Sequence, residues 1–409
     1  MPKPRLIVCC PDPHPDTGSE PGKAFAWTRA LASQFEVHVF CLKTAAANCK
    51  RHPDSTNWVF HEIEHPYPQK NSFFSFYLWY KRWCDLLIPE IQAKLQAIKP
   101  VGLHHPTLGS FRILPRYDVL GIKYTLGPLG GGEYVPASFA ISAHLPIDEL
   151  CKELTRPVLN TLCALNPWVT PVLKKSSHTL ATTHQTARLL TLGGCRSVSA
   201  IFPDVFVYQF NAHEVILKRQ KQMSELHKEC KLFFSGRALW WKGGHLAILV
   251  LKCLRENGMN ATLTMVTQGK AETAWRQIAQ ESEMDQWITW FRFIPREQLL
   301  EMQSSAHAFV YPTMHDSSSS ALPEAYSTGL PSITLGIGGI ATAAGSGTGM
   351  NAYFPNAEQW IKQAAEQIST WASDPTSWLL ACQASVERSL YFNLSRLEII
   401  VQEKIAPSF

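Results

Sequence analysis

Short apolar runs alternate along this chain with longer stretches in which apolar residues recur at helical spacing. Arg5–Cys10 reads as a buried strand, followed by a loop at Gly18–Gly22 and a helix over Lys23–Ser33. Val37–Cys41 is the next strand. Helical spacing extends over Asn71–Ile98 and stops at Pro100. Val101–His105, Ile122–Leu126, His178–Ala181 and Ser199–Phe202 continue the strand series. Asn211–Lys231 is polar, lacks an apolar run and reads as a linker. A second series follows, with strands at Leu232–Ser235, Leu263–Thr267, Trp287–Phe293, His307–Tyr311 and Ser332–Leu335. Between them lie helical patterns at Gly244–Glu256, Thr273–Glu281, Glu297–Ser304 and Ala321–Ser327. Such alternation builds parallel sheets with right-handed crossovers, so the expected class is α/β with doubly wound sheets. Ligands of such sheets bind beyond the carboxyl ends of the strands, which is where chemistry should be sought.

Size and composition narrow this picture. At 409 residues the chain exceeds what one core accommodates, and it is expected to form domains at 1–210 and 211–385, followed by a segment at 386–409 with a final helix at Leu394–Val401. With 45% hydrophobic and 17% charged residues it is globular rather than disordered. No apolar run approaches the roughly 20 residues that span a bilayer. The proline-broken N-terminus is too short for a signal-peptide core. Eleven cysteines, an odd number without a C-x-x-C pair, point to reduced thiols and a cytoplasmic protein. A net charge of +5 suits an anionic ligand or a membrane surface and is too weak to indicate nucleic acid. The aromatic segment Asn71–Leu87, with Lys81 and Arg82, suits a core or, alternatively, peripheral membrane contact.

Three segments of the C-terminal half carry candidate chemistry. The strand at Leu232–Ser235 runs into Gly236 and Arg237, then Lys242, with Gly243 and Gly244 opening a helix. A guanidinium fork, an ammonium and a helix N-terminus can all meet a diphosphate. The bland alternative is a strand-to-helix turn with two solvated cations. In His307–Ile333 an apolar strand leads to Asp316, four serines and, eight positions after the aspartate, Glu324. Successive serines can present amides and hydroxyls to an anion, and Glu324 can accept hydrogen bonds from vicinal sugar hydroxyls. A capped surface helix would also fit. Gly338-Gly339 forms a tight, flexible loop after the next strand.

In order and spacing, residues 231–345 resemble the donor half of family 4 retaining glycosyltransferases. The resemblance implies a GT-B fold, two Rossmann-like domains facing a cleft, the last helix crossing back to the N-terminal domain. By the same resemblance Gly236, Arg237 and Lys242 would hold the diphosphate of a nucleotide sugar. Glu324 would bind the ribose, Asp316 would approach the sugar, and Ser318, Ser319 and Ser320 would contact sugar or phosphate. Phe293, within Phe291–Pro295, would pass the base. The family's usual Glu-Gly-aromatic is replaced here by Asp316 and serines, which leaves the donor sugar open.

In the N-terminal half, Gly18, Ser19 and Glu20 belong to a GSEPG loop similar to loops of some family members. His104 and His105 end a strand, Arg112 follows, and Gly130, Gly131, Gly132 and Glu133 form a GPLGGGE loop where many members carry a histidine. The acceptor candidates are therefore Gly18, Ser19, Glu20, His105, Arg112, Gly130, Gly131, Gly132 and Glu133, with Glu133 also a candidate base. A flexible turn, structural histidines and an exposed glutamate are the alternatives.

The resemblance implies transfer of a sugar, with retention, from a nucleotide-diphosphate sugar to a saccharide, lipid-linked or natural-product hydroxyl. Arg237, Lys242 and helix-start amides would stabilise the negative charge building on the leaving diphosphate, with Asp316 approaching the sugar. No Asp-x-Asp occurs, so no metal-held diphosphate and no cofactor are expected, and UDP is slightly favoured over GDP. A nucleotide-sugar epimerase on the same fold and a non-catalytic binding subunit are the rival readings.

Overall fold

The computed structural model describes residues 2–17, 19–67, 73–201, 205–207 and 210–409. The chain divides into two compact units. The first comprises Met1–Gly132, Val158–Phe206 and Leu394–Phe409, and the second Glu133–Pro157 and Val207–Asn393. Residues 133–157 are thus an excursion of the N-terminal half into the second unit, and the final helix, Leu394–Ile400, belongs to the first.

The first unit contains β1 (Arg5–Cys9), β2 (Glu36–Leu42), β3 (Val59–Ile63), β4 (Gly102–His105), β5 (Tyr124–Leu129), β6 (His178–Ala181) and β7 (Val198–Ile201), in the order β3-β2-β1-β4-β5-β6-β7. The second contains β8 (Cys230–Ser235), β9 (Ala261–Val266), β10 (Ile288–Phe291), β11 (Ala308–Tyr311), β12 (Ser332–Thr334) and β13 (Gly349–Asn351), in the order β10-β9-β8-β11-β12-β13. Every strand pair is parallel. Helices cover both faces of such sheets, which is why central strands such as β11, AFVY, are buried at every residue. In each sheet the strand order reverses once, between β1 and β4 and between β8 and β11.

Four local expectations need correction. Ser19–Ala32 is one helix, so most of the Gly18–Gly22 loop is its first turn. Pro21 is tolerated there because first-turn amides have no helical partner. The expected linker contains the helix Ala212–Gln222, capped by Asn211, which accepts from the Glu214 amide. Its anchor is Arg219, a fully buried guanidinium that donates to the carbonyls of Gln303, Ala306 and Thr328. Ile122–Leu126 is displaced to β5, which takes in Gly127 and Pro128. Gly338 and Gly339 open the helix Gly338–Ala343 instead of forming a flexible loop.

The aromatic segment forms the start of the helix Phe73–Ile98; Asn71 lies outside the described residues. Trp79, Tyr80, Trp83 and Leu87 are buried at helical spacing, while Phe76, Leu78 and Leu86 face outward. No described helix is long and apolar enough to cross a membrane.

Candidate functional site

The second unit gathers its polar residues at the reversal between β8 and β11, where an open parallel sheet leaves a crevice. β8 delivers Gly236 and Arg237, and a short 3₁₀ turn, Trp240–Lys242, leads to Gly243. Gly243 has φ of 75° and lies against the Pro312 carbonyl, so a side chain there would be both strained and obstructed. Its left-handed turn starts the helix Gly244–Glu256, whose first residue packs on the buried Trp275 ring. The glycine pair thus lets the β8 and β11 loops close on one another.

Lys242 is the centre of this contact. Its ammonium donates to Asp316 Oδ2 at 2.5 Å and to Tyr311 Oη at 2.7 Å. Tyr311 donates to the same carboxylate oxygen at 3.0 Å and accepts from Ser319 at 3.1 Å. Burial lowers the Lys242 pKa, but the Asp316 charge and Tyr311 more than offset this, and the net direction is upward. Burial pushes the Tyr311 phenol up to about 12, so it remains a donor at neutral pH. The Arg237 side chain is exposed and has no hydrogen bond or ion pair among the described residues. The loop therefore holds one fixed cation and offers another.

The remaining predicted residues of this unit are placed as follows. Glu324 lies on the helix Ala321–Ser327 and meets Arg296 at 3.2 Å. Burial raises its carboxyl pKa above the usual value, with Arg296 opposing. Ser320 is the N-cap residue of that helix and makes no side-chain cap bond. Ser318 is half-buried. Phe293, beyond β10, is 83% exposed. Glu133 is buried and adjoins Gly338, whose neighbour Gly339 donates its amide to the Asp316 carbonyl at 2.7 Å. The fold thereby unites Glu133, the Gly338–Gly339 turn and the Asp316 loop within one unit.

The first unit treats its candidates differently. His105 is fully buried, with its ring nitrogens 2.8 Å from the Tyr117 hydroxyl and 3.1 Å from that of Tyr80. Both nitrogens are therefore occupied, and burial lowers its pKa to about 4. Arg112 donates to the Gly131 carbonyl at 2.5 Å and to Asn160 at 2.6 Å, clamping the glycine loop. Gly130 pairs with Ser110, and Gly132 packs so closely on Thr186 and Leu189 that a side chain would collide. The glycines thus serve backbone packing in this unit. Glu20 meets Lys23 at 3.7 Å and the Gly109 amide at 3.5 Å. Gly18 lies outside the described residues, and Ser19 begins the first helix.

Sequence reasoning missed Tyr311, Arg296 and a pair formed by Glu153 and His315. His315 Nδ1 lies 3.0 Å from Glu153 Oε2, across 162 positions of sequence, and its ring stacks on Trp241 at 4.3 Å. Only the strand-end position of Tyr311 carried a local signal. Among the described residues no group of three or more His, Cys, Asp or Glu could hold a metal ion.

Residues 217–379 match the family model described as Glycosyl transferases group 1. No curated protein matches the chain. Among solved structures it is similar to sucrose-phosphate synthase from Thermosynechococcus elongatus, with TM-score 0.64, 14% identity and 98% of each chain covered. It is similar to HepE from Anabaena, solved with UDP and glucose, with TM-score 0.57, 12% identity and 98% of each chain covered. It is also similar to WaaG, a glycosyltransferase involved in lipopolysaccharide biosynthesis, with TM-score 0.54, 15% identity and coverage of 97% of this chain and 100% of that one. The fold is GT-B. The Lys242–Asp316 contact sits in the second GT-B sheet, within the residues that match the family model.

Proposed function

We propose that this protein is a retaining, metal-independent glycosyltransferase that moves a sugar from a nucleotide-diphosphate sugar to a hydroxyl acceptor. The observation that carries the reading is the Lys242–Tyr311–Asp316 cluster at the strand-order reversal, inside the segment matched by the glycosyltransferase family model. Lys242 and Arg237 would face the diphosphate together with the first amides of the helix Gly244–Glu256. As the bond to the sugar breaks, negative charge builds on the leaving diphosphate, and these positive groups would stabilise it. Asp316 holds the ammonium in place and would lie beside the sugar. Glu324, held by Arg296, would accept from the ribose hydroxyls. Support for UDP as the nucleotide comes from the similar fold of HepE, solved with UDP and glucose.

The test is turnover. The protein is incubated with UDP-, GDP- and ADP-sugars, alone and with saccharide acceptors, while nucleoside diphosphate release is followed and the product anomer is read by NMR. Release of one nucleotide with retained configuration is expected. Conversion of one nucleotide sugar into another without nucleotide release would instead indicate an epimerase, and absence of turnover with detectable binding would indicate a non-catalytic subunit.

A further inference from the structure

Glu153 lies in the excursion 133–157, which the fold joins to the second unit, and its carboxylate is 2% exposed. Three contacts fix it. Arg156 reaches it through Nε and Nη2, each at 3.3 Å, and His315 Nδ1 lies 3.0 Å from Oε2. Burial raises the Glu153 pKa, but the His315 and Arg156 contacts more than offset this, so the carboxylate stays ionised and can only accept. The proton between the two groups therefore sits on His315 Nδ1. Burial of the imidazole outweighs the pull of Glu153, and the His315 pKa falls below its usual value. The ring is neutral at pH 7, and Nε2 carries a bare lone pair.

That nitrogen has no hydrogen-bond partner among the described residues. It also lies beside the cation site. His315 precedes Asp316 directly, and the Met314 amide donates to the Trp241 carbonyl at 2.8 Å. The Trp241 indole contacts the His315 ring at 4.3 Å and the Lys242 ammonium at 4.5 Å. An oriented acceptor and the ammonium assigned to the diphosphate thus both lie against the Trp241 indole.

We propose that His315 accepts a hydrogen bond from a hydroxyl of the sugar carried on the diphosphate, with Glu153 as the positioning residue that fixes its tautomer. This assignment rests on the glycosyl-transfer reading. It makes the excursion 133–157 part of donor-sugar recognition, and it gives the pair no role in binding the nucleotide itself.

The experiment compares affinity for UDP with affinity for UDP-glucose, and for GDP with GDP-mannose, in the wild type and in H315F, H315Q and E153Q. H315F keeps a ring on Trp241 but removes the acceptor. H315Q retains an acceptor close to the Nε2 position. E153Q keeps the shape of the pair but replaces the charged acceptor that fixes the Nδ1 proton with a neutral amide, which weakens the hold on the tautomer. Nucleotide affinity should stay within twofold in all three. The advantage of the sugar nucleotide over its nucleotide should fall roughly five- to tenfold in H315F, as for loss of one neutral hydrogen bond, with a smaller fall in E153Q and partial recovery in H315Q. An unchanged ratio in H315F overturns the proposal, as does equal loss of nucleotide and sugar nucleotide. If H315F does not fold, H315L, which also lacks the acceptor, decides the matter. Wild type that binds neither nucleotide nor sugar nucleotide refutes the transferase reading together with the proposal, a result distinct from an unchanged ratio.

Discussion

Replacing Lys242 with alanine should have two separable effects. The first is on the ligand. A hydrogen bond from an ammonium to a charged partner contributes about 1.5–3 kcal/mol, so the Kd for UDP should rise about 10- to 150-fold. The second is on the unliganded protein. Lys242 and Asp316 side chains are only 12% and 11% exposed, and the alanine leaves the carboxylate without its cation. Stranding one partner of a buried pair costs about 3–5 kcal/mol. Tyr311 still donates to Asp316 and some solvent reaches it, so about 2–3 kcal/mol is expected here. Because the folded Lys242 pKa is raised, the pair's contribution is complete below the lysine's ordinary pKa and is lost only as pH rises through the folded value. The stability loss should therefore be constant from pH 6 to 9. Urea denaturation measures the second effect and calorimetric titration with UDP the first. The double variant K242A/D316N should recover much of the stability but none of the affinity. A folded K242A that binds UDP within twofold of wild type would refute the assignment of Lys242 to the diphosphate.

Other consequences follow from the same contacts. In unliganded protein the Glu324 carboxyl is raised by burial, so it takes up its proton at a higher pH than a free glutamate; UDP affinity should weaken on acidification from above pH 4.5, and E324Q should bind weakly with that pH dependence removed, as read by titration between pH 4.5 and 7.5. G339A should cost about 1–3 kcal/mol in urea denaturation and also weaken UDP binding, because a methyl there overlaps the Ser317 carbonyl and displaces the amide bonded to Asp316. H105A should lose about 2–4 kcal/mol of stability while leaving UDP affinity unchanged, since His105 is a buried bridge between two tyrosines.

How much the sequence disclosed depended on whether the governing interaction was local. β11 and the helices Gly244–Glu256 and Ala321–Ser327 were legible because apolar runs, glycine pairs and helical spacing lie next to one another. Helix Ala212–Gln222 was not, because it docks through one buried arginine rather than an apolar stripe, although Asn211 marked its start. The same contrast holds in the site. Gly236, Arg237, Lys242 and Asp316 follow strands and were visible as chemistry out of place in a turn, and Glu324 as a carboxylate one turn into a helix. Tyr311 read as the last apolar residue of a strand, yet its hydroxyl ties Lys242 to Asp316. Glu153 and His315 carry no mutual signal in sequence, and only the return of the excursion 133–157 to the second unit brings them together.

The central claim is that the β8 and β11 loops of the second unit form a nucleotide-sugar site. Its most direct test is thermal unfolding of wild type, K242A and E324A with UDP, GDP and ADP. One nucleotide should raise the wild-type transition by about 3 °C or more at a hundred times its Kd, and should raise either variant by no more than about half as much. A nucleotide that stabilises all three proteins equally, or the failure of every nucleotide to stabilise the wild type, would contradict it.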